Sequence, residues 1–154
     1  MFDSLMQFFK GLSAEGDDAT LFSDGDYRIA AAALLVHLVS VDGVVDDAEQ
    51  KALRIILKSR YELSDDETDA LIDIARERDN EAVDLYNFTS VLKRNLDEDG
   101  RAQIIEMMWE LVLADGYIHE FEDNLVWRVA ELLGVSRRDR IRLRKSVQAL
   151  QVDQ

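Results

Sequence analysis

Apolar residues recur along this chain at helical spacing, and alternation of the strand type is missing. Phe2, Leu5, Met6, Phe9 and Leu12 fall at i, i+3, i+4, i+7 and i+10, the stripe of a short amphipathic helix over residues 1–12. Its polar side, Asp3, Ser4, Gln7 and Lys10, carries little positive charge. Packing on its own domain or on a partner is therefore expected over anchoring at a membrane surface. Residues 13–26, rich in Gly, Ser, Asp and Ala, read as a loop or mobile linker. From Ile29 to Val41 the chain is apolar except for His37 and Ser40, which predicts a central helix buried on most sides. Asp42-Gly43 stops it. A second helix, from about Asp46 to Arg60, is expected to turn Ala48, Ala52, Leu53, Ile56 and Leu57 inward.

Ser64 with Glu67 three residues on is a capping box that opens a helix to about Asp79. An amphipathic segment follows from Asp84 to Asn95, after which Asp97-Glu98-Asp99-Gly100 punctuates the chain. A second almost wholly apolar helix, Ile104 to Ala114, ends at Asp115-Gly116. A helix from about Glu120 to Leu133, stopped by Gly134, and a last one capped by Ser136 and running to about Leu150 complete the pattern. Eight helices and no convincing strand predict an all-α, single-domain bundle spanning residues 27–150 behind the N-terminal segment.

The pattern repeats. SVDGVVDDAE at Ser40–Glu49 returns 73 positions later as LADGYIHEFE at Leu113–Glu122. At that offset Leu38, Val39, Asp42, Gly43 and Glu49 match Leu111, Val112, Asp115, Gly116 and Glu122 identically. Leu34/Met107, Leu35/Met108, Val44/Tyr117, Val45/Ile118, Leu53/Val126 and Ile56/Val129 keep apolar character. The arrangement is a two-fold pseudo-repeat, about 27–79 and 100–150, of helix, DG turn, helix and capped helix. Two such halves are expected to form one core by packing their apolar helices together.

Charge narrows the partners. With 32 acidic against 18 basic residues the 154-residue chain carries −14 and a pI near 4.4. Such a surface repels phosphate backbones and anionic membranes, so nucleic-acid binding is disfavoured, while divalent cations and basic proteins suit it. No Cys is present, which removes disulfides, thiolate metal sites and cysteine nucleophiles. No signal-peptide pattern and no apolar run of about 20 residues occurs, so a cytoplasmic protein is expected.

The DG phrases admit two readings. Gly43 and Gly116 can end helices, and Asp46 with Glu49 can form an N-terminal capping pair. Asp42 and Asp115, however, lie at helix C-termini, where the macrodipole disfavours a carboxylate by a few tenths to about 1 kcal/mol. His119 replaces Asp46 in the second copy and is a poor cap, yet Glu122 is kept. A tight turn can bring Asp42, Asp46 and Glu49 together, and likewise Asp115, His119 and Glu122. Oxygen donors of this kind suit Ca²⁺ or Mg²⁺, and the histidine admits Zn²⁺ or Mn²⁺ at the second turn. No EF-hand loop is present. Capping alone and ion binding both remain open on these grounds.

The doubled A/V-DG-x-x-x-x-x-E phrase within helical halves resembles the TerB-like family of bacterial tellurite-resistance systems, over roughly Tyr27 to Val147. The resemblance implies an all-α fold, a cytoplasmic or inner-membrane-associated setting, a link to stress response, and acidic residues that bind metal. Those roles fall on Asp42, Asp46, Glu49, Asp115 and Glu122, with His119 departing from an all-acidic pattern.

Rival chemistry is weaker. Paired carboxylates can serve as acid and base, but no Gly-rich phosphate loop, nucleophile elbow or HExxH occurs, so the chain is not expected to be an enzyme. No small-molecule substrate is evident in the sequence. His37, within an apolar helix, is expected to be a hydrogen-bonded core histidine. The final helix carries Arg137, Arg138, Arg140, Arg142, Arg144 and Lys145. Against so acidic a body this cluster is expected to dock on protein, its own domain or a partner, and to bind phosphate weakly. Protein partners, with a membrane-associated assembly among them, are the expected company.

Overall fold

The computed structural model describes residues 22–23, 25–40, 47–115 and 120–152. The amphipathic stretch at residues 1–12 and most of the 13–26 linker lie outside them. Seven α-helices are described: α1 Tyr27–Ser40, α2 Asp47–Arg60, α3 Asp65–Glu81, α4 Tyr86–Asn95, α5 Glu98–Val112, α6 Glu120–Leu133 and α7 Arg137–Val152. A 3₁₀ turn, Leu113–Asp115, extends α5. Among the described residues there is no strand. The all-α bundle read from the periodicity is the fold.

α1 and α5 form the centre. Ala30–Ala33 and Leu34, Leu35, Leu38 and Val39 are buried, and so are Ile104, Ile105, Met107, Met108, Trp109, Leu111 and Val112. The four alanines favour helix and let a neighbouring backbone approach closely. α1 touches α5 and makes its most extensive contact with α3; α5 makes its own with α7, the matching element of the second half. Each pseudo-repeat thus lays its third helix along its first. Tyr27 meets Tyr61 edge to face, centroids 6.2 Å apart, which ties the start of α1 to the residue after α2.

Helix ends are built as the sequence specifies. Ser64 Oγ accepts from the Glu67 amide at 3.1 Å while Glu67 Oε1 accepts from the Ser64 amide at 2.8 Å, a complete capping box. Ser136 Oγ accepts from the Asp139 amide at 3.1 Å. Gly134, at φ +77°, follows α6, and the Val135 amide reaches back to the Ala130 carbonyl. The same closure ends α2, where the Leu63 amide bonds the Lys58 carbonyl. There Glu62 takes the left-handed conformation, at φ 54°, without a glycine to announce it.

Three expectations need correction. α5 begins at Glu98, six residues before Ile104. Asp97 is its N-cap, Oδ1 accepting from the Gly100 amide at 2.9 Å, so the acidic run opens a helix instead of separating elements. Glu98 and Asp99 favour that positive end of the macrodipole. α4 starts at Tyr86, whose amide donates to Asp84 Oδ1 at 3.0 Å, not at Asp84 itself. Ala48 is exposed, whereas Glu49 beside it is buried. At the end of the 13–26 segment, Phe22 sits in the core beneath the Arg28 guanidinium, 4.7 Å from its ring centroid.

The basic helix α7 docks on its own domain. Arg140 pairs with Glu131 at 3.3 Å and lies over the Trp127 ring, and Arg144 lies over Trp109 at 5.1 Å, 3.6 Å from Asp123. The Trp109 indole N–H is buried and finds no hydrogen-bond acceptor among the described residues, and the Arg144 cation lies over the face of its ring.

Ser64→Ala is expected to lower unfolding free energy by about 1 kcal/mol, as caps do. Leu35→Ala, at a fully packed position, is expected to cost about 2–5 kcal/mol. Urea denaturation of both variants checks the ordering; a Ser64 effect as large as the Leu35 one would show that the cap carries more than its own helix end.

Candidate functional site

The apolar stripe of α2 runs Leu53, Leu57 at i, i+4. Extended back by one turn it reaches Glu49. The stripe of α6, Val129 and Val126 with Leu125 and Leu133, leads back in the same way to Glu122. Both glutamates follow the stripe inward: Glu49 is 3% exposed and Glu122 1%. Each is the third residue of its helix, six positions after the glycine of an Asp-Gly pair in the sequence. Burying a carboxylate is costly unless charge or hydrogen bonds compensate. The free N–H groups and positive dipole end of a helix's first turn supply part of that compensation. That two such carboxylates occur at equivalent places in both halves makes them the most unusual polar residues of the core.

The remaining members of the expected sets are only partly placed. Asp42, Asp46 and His119 lie outside the described residues. Asp115 closes the 3₁₀ turn with its backbone, and its side chain lies outside what is described. That turn packs against α2, the helix that carries Glu49, so the lead into the second DG turn touches the first half. Among the described residues no three His, Asp or Glu side chains gather in a metal-holding group. A complete ion site would therefore have to draw donors from 41–46 or 115–119. Glu49 and Glu122 fit such a site by chemistry, as hard oxygen donors for a hard cation.

Away from these glutamates, charged side chains pair at the edge of the core. Arg60 at the end of α2 bridges Glu106 and Glu110 of α5, each at 3.2 Å. Burial pushes the Glu110 carboxyl up from its ordinary value; Arg60 draws it down and Glu106 pushes it up again. His37, expected in the core, lies instead at its edge. Its side chain is 36% exposed, and Nδ1 stands 3.0 Å from Asp79 Oδ1 on α3. The hydrogen bond was anticipated; the exposure was not. α1 is buried over most of its length, but its last turn emerges at His37 and Ser40.

The architecture defines a class: a two-fold helical bundle with a buried glutamate behind each DG turn. Residues 28–145 match the family model described as "Tellurite resistance protein TerB", and the chain belongs to that family. No curated protein matches it. Among solved structures, the crystal structure of a protein of unknown function from Porphyromonas gingivalis W83 superposes with a TM-score of 0.62 at 16% identity. The match covers 83% of this chain and 98% of that one, a likeness of fold.

The raised Glu110 makes a pH-dependent expectation. A carboxyl whose folded value is raised contributes stability below the ordinary carboxylate range, and loses it as pH rises through the raised value. Glu110→Gln, which fixes the neutral form, is therefore expected to melt higher than the native protein at pH 7. The gap should close as pH falls through the raised value and Glu110 itself takes up its proton. Thermal melts at pH 7 and below the raised value decide it, and a gap that does not change would assign the effect to packing.

Proposed function

We propose that this chain is a non-enzymatic TerB-family module that binds divalent cations at its two DG turns and acts within a stress-related protein assembly. The observation that carries the reading is the pair of buried glutamates, Glu49 and Glu122, at equivalent positions in the two halves. A cation at each turn would join Glu49 to Asp42 and Asp46, and Glu122 to Asp115 and His119. Its charge would also relieve the clash of Asp42 and Asp115 with the helix ends they follow. Water would complete the shell, since so few protein oxygens leave Ca²⁺ or Mg²⁺ partly hydrated. The second turn, with His119, would accept Zn²⁺ or Mn²⁺ as well.

The tellurite-resistance description of the family supports the stress-related setting. A protein partner, with an inner-membrane assembly as one setting, is supported by exposed Ile55 and Phe121, the latter next to Glu122. We place the module in the cytoplasm. Among the described residues no helix is long and apolar enough to cross a membrane. The competing reading is an interaction bundle whose glutamates only cap, favoured by their position at the third residue of each helix.

The two readings separate in one experiment. Gln serves a capping box as well as Glu does, but offers an ion no charge. Chelator-treated protein titrated calorimetrically with Ca²⁺, Mg²⁺, Zn²⁺ and Mn²⁺ is expected to bind and to melt higher. An ion at 100 times its dissociation constant adds about 2.7 kcal/mol. Glu49→Gln with Glu122→Gln is expected to weaken binding at least tenfold. If melting ignores millimolar divalent ions, and Asp42→Asn with Asp115→Asn alters nothing, the turns only cap and the interaction bundle remains.

A further inference from the structure

The two halves part company at one place. In the second half, position 110 is a glutamate held by Arg60. At the repeat offset, the counterpart of Glu110 is His37 and the counterpart of Arg60 is the core residue Leu133. With no arginine to close on it, His37 turns to Asp79 and borders an open groove of about 290 Å³. The walls come from α1, α3, α6 and the α3–α4 connection: His37, Asp79, Val83, Leu85, Leu125 and Arg128.

These residues differ in kind. An ionised carboxylate only accepts, so the 3.0 Å contact places the Nδ1 proton of His37 toward Asp79 and leaves Nε2 for another group. Arg128, on the α6 wall, makes no ion pair or hydrogen bond among the described residues. Arg28, Arg54, Arg60, Arg140 and Arg144 are all paired, whereas Arg94, Arg137, Arg138 and Arg128 have no such partner among the described residues; of these four, Arg128 alone borders a groove, beside a histidine, where it can meet an anion. Val83, 99% exposed, and Leu125 add an apolar flank. Asp84, also in the groove, and Asp79 repel a multiply charged ligand. The volume lies just under the range of drug-sized pockets and suits a ligand of few atoms.

We infer that this groove binds a small monocarboxylate, its carboxylate on Arg128 and His37 and its short apolar tail along Leu125, Leu85 and Val83. The guanidinium offers the planar two-point fit that a carboxylate matches. In its charged form His37 donates through both nitrogens, Nδ1–H to Asp79 and Nε2–H to the second ligand oxygen. None of the groove's lining residues is among the proposed cation ligands, and the site does not depend on their binding metal.

The test is an NMR titration of the full chain with sodium butyrate at constant ionic strength, followed at the His37 ring protons. With two histidines in the chain, His119→Gln assigns them. The expected result is a saturating shift with a dissociation constant on the order of 1 mM, the range open to so small a ligand. Arg128→Gln is expected to weaken it at least tenfold without changing the melting temperature, since Arg128 is exposed. Arg128→Lys, which keeps the charge and loses the fork, should fall between. No saturating shift in the native protein, or an equal constant in Arg128→Gln, overturns the site. Inorganic phosphate binding as tightly as butyrate overturns the carboxylate assignment.

Discussion

A helix that is apolar on nearly every side has no face to offer water, and this chain has two of them. α1 and α5 can be buried only if other helices surround them, so the placing of the rest follows from that need. α3 and α7 lie along them, α2 and α6 cover the sides left open, and α4 spans from α1 to α6. Each buried leucine contributes about 1.5–3 kcal/mol by leaving water, which makes the central pair the main source of cohesion. The turns, caps and surface pairs work at the level of single kilocalories around it.

Against that background the two glutamates stand out energetically. An apolar residue at position 49 or 122 would continue the stripe of its helix and add to the core. A carboxylate there weakens the core instead, in both halves alike. Compensation comes from the helix N-terminus and from the partners each glutamate has, and a cation at the turn would add to it. This also accounts for why Glu is common to both copies while the neighbouring cap position changes from Asp46 to His119.

Periodicity made the architecture legible because burial is a local property of a helix: Ile29–Val41 was expected to have no exposed face, and over Ile29–Val39 the structure gives it almost none. The capping box at Ser64 and the stops at Gly134 and Ser136 were readable for the same reason, being settled within four or five residues. The acidic run at Asp97–Gly100 misled because Asp and Gly mark helix starts as well as breaks, and only the Asp97–Gly100 hydrogen bond decides between them. Glu62 gave no signal, since left-handed ends are usually flagged by glycine. The depth of Glu49 was in fact written in the spacing to Leu53 and Leu57, but a charged residue is not ordinarily counted in an apolar stripe. The His37–Asp79 pair joins α1 to α3 across 42 positions, and no local pattern carries such a contact.

The two tryptophans have a consequence of a different kind. Trp109 in α5 and Trp127 in α6 are the chain's entire indole content, and each lies beneath an arginine of α7. The last helix therefore roofs both fluorophores at once, one sealed in the core and one half-buried. Any event that lifts α7 from the bundle strips both rings of their cations and admits water to them together. The protein carries an internal optical gauge of its own closure, readable from native emission without a label.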